Sequence, residues 1–379
     1  MALRIALDCR SVFPGMGGIG RYAATLAGIM PGLWREAQFH LLATERIGEG
    51  LLPSGPNVCE RRFACGMIDE RWEQLELPGE LAGIPADLYH NTCFSLPVAG
   101  GARCMVATVH DVIFRRHPGL VDERLAGYLD RWTAVSLDSA SLVITVSEFS
   151  KREICELYGA DGSKVRVIYN GLDPRFARGA TDEAVRSVKP KLGLTGSYVL
   201  YVGALEEKKN IRRLLAAWGA FSVRKSGKSM QLVLAGGKGG KDFDAKSEVE
   251  RAGVGASTVL AGHIPDNDLP ALMCGAAAFI YPSLYEGFGL PVIEAMACGT
   301  PVVTSKTSSL GEVAGDAARL VDPESVEEMA VALEEVVSDR ALSKELVRRG
   351  RERAREFTPE RCAEETLAIY REALGLGAT

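Results

Sequence analysis

Ala277-Ala278-Phe279-Ile280-Tyr281-Pro282-Ser283-Leu284-Tyr285-Glu286-Gly287-Phe288-Gly289-Leu290-Pro291-Val292-Ile293-Glu294-Ala295-Met296-Ala297 is the stretch whose reading decides the fold. An apolar run too short for a buried helix passes through a Pro-, Ser- and Gly-rich turn into a run of helix formers. That is the strand–loop–helix unit of a parallel sheet covered on both faces. Pro291 suits the first helical turn, where its missing N–H costs nothing. Moving outward, the same alternation recurs on both sides. Strands are expected at Tyr198–Gly203, Gln231–Ala235, Thr258–Leu260, Pro301–Thr304 and Arg319–Val321, with helices at Ile211–Val223, Leu269–Cys274 and Val326–Val337. A polar break runs from Gly171-Leu172-Asp173-Pro174 to Lys189-Pro190. Before it, the runs Leu3–Asp8, Phe39–Ala43, Cys104–Val109, Leu142–Val146 and Val165–Tyr169 alternate with helical stretches at Arg21–Met30, Glu123–Leu137 and Ser150–Leu157. The tail Lys344–Leu374 carries no strand signal and reads as helices. The fold class is therefore α/β, with two successive doubly wound parallel-sheet domains.

The length agrees: 379 residues, at about 150 per domain, make two domains. Hydrophobic residues at 47% and charged residues at 25% describe an ordinary globular chain. With 44 Lys plus Arg against 49 Asp plus Glu, the net charge of −5 argues against a protein whose task is to coat nucleic acid or an anionic membrane. Nine scattered cysteines with no C-x-x-C pair suit a reducing compartment and no zinc site. Met1–Leu7 reads as a strand and not as a signal peptide, and no run approaches the roughly 18 apolar residues of a membrane span. A cytoplasmic location is expected.

Two glycine-rich turns carry chemistry. Gly15-Met16-Gly17-Gly18-Ile19-Gly20 follows the first strand and opens a helix, and Glu45 lies near the offset of a ribose-binding acid. A nicotinamide-dependent oxidoreductase is thus one reading. The other is a plain backbone approach to a phosphate, because Ser11-Val12-Phe13-Pro14 makes the turn too long for a tight dinucleotide loop. In the second domain, the amides of Gly287, Phe288, Gly289 and Leu290 face outward from a positive helix end and form an anion seat that fits a diphosphate. Glu286 before the helix and Glu294 within it place carboxylates on either side of that seat, suited to the hydroxyls of a nucleotide-sugar. His110, followed by Asp111, lies where open α/β sheets bind ligands. His40, His90 and His117 read as structural. Asp242-Phe243-Asp244 and Asp266-Asn267-Asp268 are D-x-D patterns; the first reads as a turn and the second as helix capping, so no metal site is expected.

Glu286 and Glu294 form E-x7-E, and the stretch from Glu286 through Val303 resembles the signature of the retaining glycosyltransferases of family four, with the GT-B fold. Further matches follow in order. Gly17-Gly18 resembles the family's N-terminal diphosphate loop, Thr108-Val109-His110-Asp111 its H-D segment, and Asn170-Gly171-Leu172-Asp173 its linker. Tyr201 through Asn210, with Gly203, Lys208 and Lys209, resembles the strand and loop of its basic phosphate clamp, and Gly262-His263-Ile264-Pro265-Asp266 the segment beside the nucleotide base. Ala204 stands where other members carry Arg, and Gly311 where proline is common.

The resemblance implies two Rossmann-like domains facing each other across a cleft. The acceptor-side domain covers 1–172 and the donor domain 173–359, with the final helix (about 360–379) crossing back onto the first domain. It implies that Lys209 contacts the donor diphosphate and that Glu286 holds the sugar hydroxyls and Glu294 the ribose. His110 would meet the transferred sugar, with Asp111 on the acceptor side. The expected activity is metal-independent transfer of a hexose, with retention, from a nucleotide diphosphate sugar to a hydroxyl of a glycan or lipid-linked acceptor. Resemblance to bacterial mannosyltransferases of surface polysaccharide assembly favours GDP-mannose over a UDP-sugar, and such an acceptor would bring peripheral contact with the inner face of the membrane. A sugar-nucleotide-binding module without turnover is the further alternative to the oxidoreductase.

Overall fold

The computed structural model describes residues 2–377 apart from 46, 67, 68, 85, 100, 101, 238 and 240–242. Asp242 of the first D-x-D pattern therefore lies outside the described residues. Two units separate by their internal contacts: Met1–Gly171 with Thr358–Thr379, and Leu172–Phe357.

In the first unit, strands β1 (Arg4–Asp8), β2 (Gln38–Thr44), β3 (Val58–Phe63), β4 (Leu88–Asn91), β5 (Cys104–Thr108), β6 (Leu142–Thr145) and β7 (Val165–Val167) form a parallel sheet in the order β3-β2-β1-β4-β5-β6-β7. The central strands are buried nearly end to end, as expected where helices cover both faces. Helix Gly18–Leu33 packs against helix Pro359–Ala373. Cys362, Ala363, Leu367 and Tyr370 of the latter join Ile5, Leu7, Tyr22 and Leu26 in one core. The chain can return there because Gly171 has no side chain: a Cβ would lie 2.4 Å from Pro359 Cα.

In the second unit, β8 (Tyr198–Val202), β9 (Gln231–Ala235), β10 (Thr258–Gly262), β11 (Ala278–Tyr281), β12 (Val302–Ser305) and β13 (Arg319–Val321) form a parallel sheet in the order β10-β9-β8-β11-β12-β13. The order reverses between β1 and β4 in one sheet and between β8 and β11 in the other. Crevices outside the carboxyl ends of strands at such reversals are where doubly wound sheets bind ligands.

Candidate functional site

At the β8/β11 reversal, β8 runs into Gly203, whose φ of 156° is accompanied by a close approach: a Cβ there would stand 2.8 Å from Tyr201 Oη. The backbone thus runs flush against Tyr201 and Tyr281, whose rings stack at 5.7 Å. A single 3-10 turn, Glu207–Lys209, follows and ends at Asn210 in the left-handed region (φ 61°). The Asn210 amide donates to Pro282 O at 3.1 Å and Pro323 O at 2.6 Å, tying this loop to those after β11 and β13. Leu284 N donates to Lys208 O at 2.9 Å. The glycine-rich loop after β11 is held from below by hydroxyls on β12 and the next helix. Thr304 donates to Tyr281 O, Ser305 to Ser283 O, and Ser309 to both Glu286 O and Phe288 O. Each bond satisfies a buried carbonyl that the turn would otherwise strand.

On this frame Lys209 Nζ lies 2.5 Å from Glu286 Oε1 and donates to Tyr281 Oη at 3.0 Å. Their side chains are only 11% and 13% exposed. Burial pushes the Glu286 carboxyl up, but the charges of Lys209 and Lys208 and the hydrogen bond from Lys209 outweigh it and hold the group below its usual value. Burial likewise works against the Lys209 ammonium, yet Glu286 keeps it above the ordinary lysine value. Both groups are therefore charged at neutral pH. Lys208 has a different ion-pair partner: its ammonium lies 3.4 Å from Glu206.

Gly287, Phe288 and Gly289 are buried and lead into helix Leu290–Ala297, with Pro291 in its first turn. Gly289 caps it at φ 103°, and a Cβ there would fall 2.5 Å from Leu310 Cδ2, so both backbone and space require glycine. Glu294 is 2% exposed within this helix. The structure thus brings Gly203, Lys209, Glu286 and the helix-capping glycine loop into one crevice. Ile264 is half-buried in the loop after β10, which is tied to β9 by Gly236 N donating to Gly262 O at 2.8 Å.

In the first unit, Gly17 and Gly18 are exposed at the start of helix Gly18–Leu33, and nothing stands within 4 Å of where a Gly17 Cβ would be. That helix has no acid in its first turn, so its amides are available to an anion. Tyr22, one turn in, meets the His110 ring edge-on at 5.1 Å. His110 Nε2 donates to Thr92 O at 2.8 Å, which leaves Nδ1 as the acceptor nitrogen, and burial pushes its pKa down to about 4. His110 lies two residues past the end of β5. Asp111 accepts from Ile113 N at 3.1 Å.

Sequence reasoning missed a buried polar cluster at the β1/β4 reversal. The Arg10 guanidinium grips Asp8 (2.6 Å) and Glu73 (3.1 Å) and stacks on Trp72, while Tyr89 and Asn91 donate to Asp8 and Ser95 donates to Glu73. It anchors the chain at Arg10, where the turn leaves β1. The signal available was an Arg two residues beyond an apolar strand's terminal Asp. Two expectations need correction. Asp268 occupies the cap position of helix Leu269–Cys274 but makes no capping bond, because Lys191 draws its carboxylate away at 3.1 Å. His40 is not a satisfied structural residue: it is buried with neither ring nitrogen partnered. His90 is satisfied, between Thr108 (2.7 Å) and Tyr370 (2.6 Å). Asp244 caps helix Ala245–Arg251.

Two family profiles match the chain: Glycosyltransferase Family 4 over residues 16–176 and Glycosyl transferases group 1 over residues 185–353. The chain is 33% identical over 284 residues to the O-antigen chain mannosyltransferase B of Escherichia coli, covering 75% of this chain and 74% of that one. It is 28% identical over 337 residues to the MMP alpha-(1->4)-mannosyltransferase of Mycolicibacterium hassiacum, covering 82% and 77%. Among solved structures, sucrose-phosphate synthase from Thermosynechococcus elongatus superposes with a TM-score of 0.75 at 22% identity, covering 98% and 99%. WaaG, a glycosyltransferase involved in lipopolysaccharide biosynthesis, does so with a TM-score of 0.75 at 17% identity, covering 96% and 99%. These comparisons favour the transferase over the oxidoreductase reading, and the chain belongs to the family 4-type glycosyltransferases of the GT-B fold.

Proposed function

We propose that this glycosyltransferase moves mannose from GDP-mannose to a hydroxyl of a glycan or lipid-linked acceptor, with retention and without a metal ion. The observation that carries the reading is the Lys209–Glu286 contact of 2.5 Å beside a glycine-capped helix start. Loss of the nucleoside diphosphate builds negative charge on its oxygens, and a fixed ammonium with helix amides stabilises that charge without reorganisation. Lys209 would share its charge between Glu286 and the diphosphate, freeing the Glu286 oxygens to accept bonds from sugar hydroxyls. Glu294 would take the ribose, and Ile264 would lie beside the base. Neutral His110 would present Nδ1 to the sugar. No residue in this reading serves as a covalent nucleophile, so retention would proceed by front-side return. The relatives named as mannosyltransferases support the choice of donor.

Thermal-shift and calorimetric titration with GDP, UDP, ADP and NAD tests this reading. Stabilisation led by GDP is expected. A lead by UDP moves the donor to a UDP-sugar, and stabilisation by NAD alone overturns the transferase account. A chain that binds GDP yet neither transfers nor hydrolyses any nucleotide-sugar would be a binding module.

A further inference from the structure

A cavity of about 550 Å³ in the second unit is lined by Arg178, Arg351, Arg355, Asp182, Cys274 and Cys298 among others. The glycosyl-transfer reading uses none of them. Cys274 ends helix Leu269–Cys274 and Cys298 caps helix Leu290–Ala297. The two thiols are in hydrogen-bond contact, and Cys274 Sγ lies 3.7 Å from where a Gly179 Cβ would stand, at the cavity wall. Cys298 is buried, while Cys274 is partly exposed. The three arginines form no ion pair among the described residues, against one lining acid, Asp182.

We propose that this cavity is a thiol–disulfide exchange site, in which the guanidiniums hold an anionic low-molecular-weight disulfide, Cys274 attacks it, and Cys298 resolves the adduct. The Cys274 thiolate attacks one sulfur of RS–SR, forming Cys274–S–S–R and expelling RS⁻. Cys298 then gives up its proton and attacks the Cys274 sulfur, expelling the second RS⁻. Protons from Cys298 and from water complete two RSH. The protein dithiol is oxidised to one disulfide and the small disulfide is reduced to two thiols.

The local chemistry favours Cys274 as the attacking group. The Cys298 thiol, the Ala180 backbone N–H and the Arg351 charge outweigh burial and hold the partly exposed Cys274 thiol below its ordinary value. Its interaction with Cys274, burial and the nearby Glu294 carboxylate hold the Cys298 thiol up, and its S–H also reaches Phe176 O at 3.7 Å, so this buried thiol acts second. By contrast, burial pushes the Cys65 thiol up to about 11 and the Cys93 and Cys362 thiols up to about 12.

The test uses the whole chain with dianionic dithiobis(nitrobenzoate) and, in parallel, dicationic cystamine. At about pH 5.5 ordinary thiols are almost wholly protonated, so a thiol held below the usual range reacts ahead of them even after its lower nucleophilicity is allowed for. The account predicts a fast phase releasing two nitrothiobenzoates per chain and a Cys274–Cys298 linked peptide. C298S should release one and retain a mixed adduct on Cys274. C274S should remove the fast phase, and R351Q with R178Q should slow the anionic probe severalfold but leave cystamine unchanged. Circular dichroism checks that each variant folds, and the linked peptide of the unmodified protein tests the idea independently of any variant. Survival of the fast phase in folded C274S, cystamine reacting as fast as the anion, or a map lacking the Cys274–Cys298 link overturns it.

Discussion

Replacing Lys209 by alanine removes the cation from a nearly buried ion pair and leaves Glu286 without its charge partner, held only by weaker neighbours. Two consequences can be sized. Losing one charge-assisted bond to the diphosphate costs about 1.5–3 kcal/mol, which is about ten- to a hundredfold in affinity. Turnover should fall with it, since charge on the diphosphate grows as the glycosidic bond breaks. Breaking the pair also destabilises the fold. Such pairs cost about 3–5 kcal/mol to break when fully buried; with 11% and 13% of the side chains still exposed, the lower end applies. The sign with pH is distinctive. In the parent, the Glu286 pKa is depressed, so its contribution is present above the unfolded carboxyl value of about 4.3 and is lost as pH falls through the folded value. In the variant, burial dominates and raises that pKa, so acid relieves the variant. The stability gap should be widest at neutral pH and shrink toward about pH 4. Lys208→Ala, whose partner is Glu206 at 3.4 Å, should lose less affinity and show no such closing gap. Calorimetric titration of GDP and urea unfolding across pH measure both. A pH-independent gap, or a larger loss of affinity in Lys208→Ala, refutes the reasoning.

Glu286→Gln should keep most of the fold but lower turnover at least a hundredfold, whereas Glu286→Ala should also lower the melting temperature, because the carboxylate is packed against Lys209 and not a solvated loop acid. Gly289→Ala must strain a φ of 103° and push Leu310 aside; about 1–3 kcal/mol of stability should go, together with diphosphate affinity, as thermal unfolding and titration would register. His90 and His110 are held neutral by burial, with pKa values near 3 and 4, so stability should be fully present above the unfolded histidine value of about 6.5 and decline as pH drops from there toward 4. His90→Asn should flatten that slope in urea titrations. Excess EDTA should leave transfer unchanged; loss restored by magnesium or manganese would return the D-x-D segments to the site.

What was legible in the sequence follows from how each feature is stabilised. Strands buried on both faces, such as Ala278–Tyr281 and Tyr198–Val202, announce themselves as continuous apolar runs. Val58–Phe63 does not, because it is an edge strand whose Glu60, Arg61 and Arg62 suit solvent and guard against edge pairing. Leu88–Asn91 is central and fully buried, yet half its residues are polar: His90 and Asn91 are satisfied by Tyr370, Thr108 and Asp8, partners remote in sequence. The same reason hid the Arg10 cluster, whose members are collected from separate segments. The glycine loop and its helix were readable because backbone conformation and space demand glycine at Gly289. The capping expected of Asp268 failed because the distant Lys191 competes for the carboxylate, which local spacing does not show.

The most direct test of the account follows the slow hydrolysis of GDP-mannose by proton NMR, recording which anomer of mannose appears before mutarotation. The account predicts release of GDP with the α-anomer formed first, and a marked fall of both in Lys209→Ala. First appearance of the β-anomer, or release unaffected by the loss of Lys209, would contradict it.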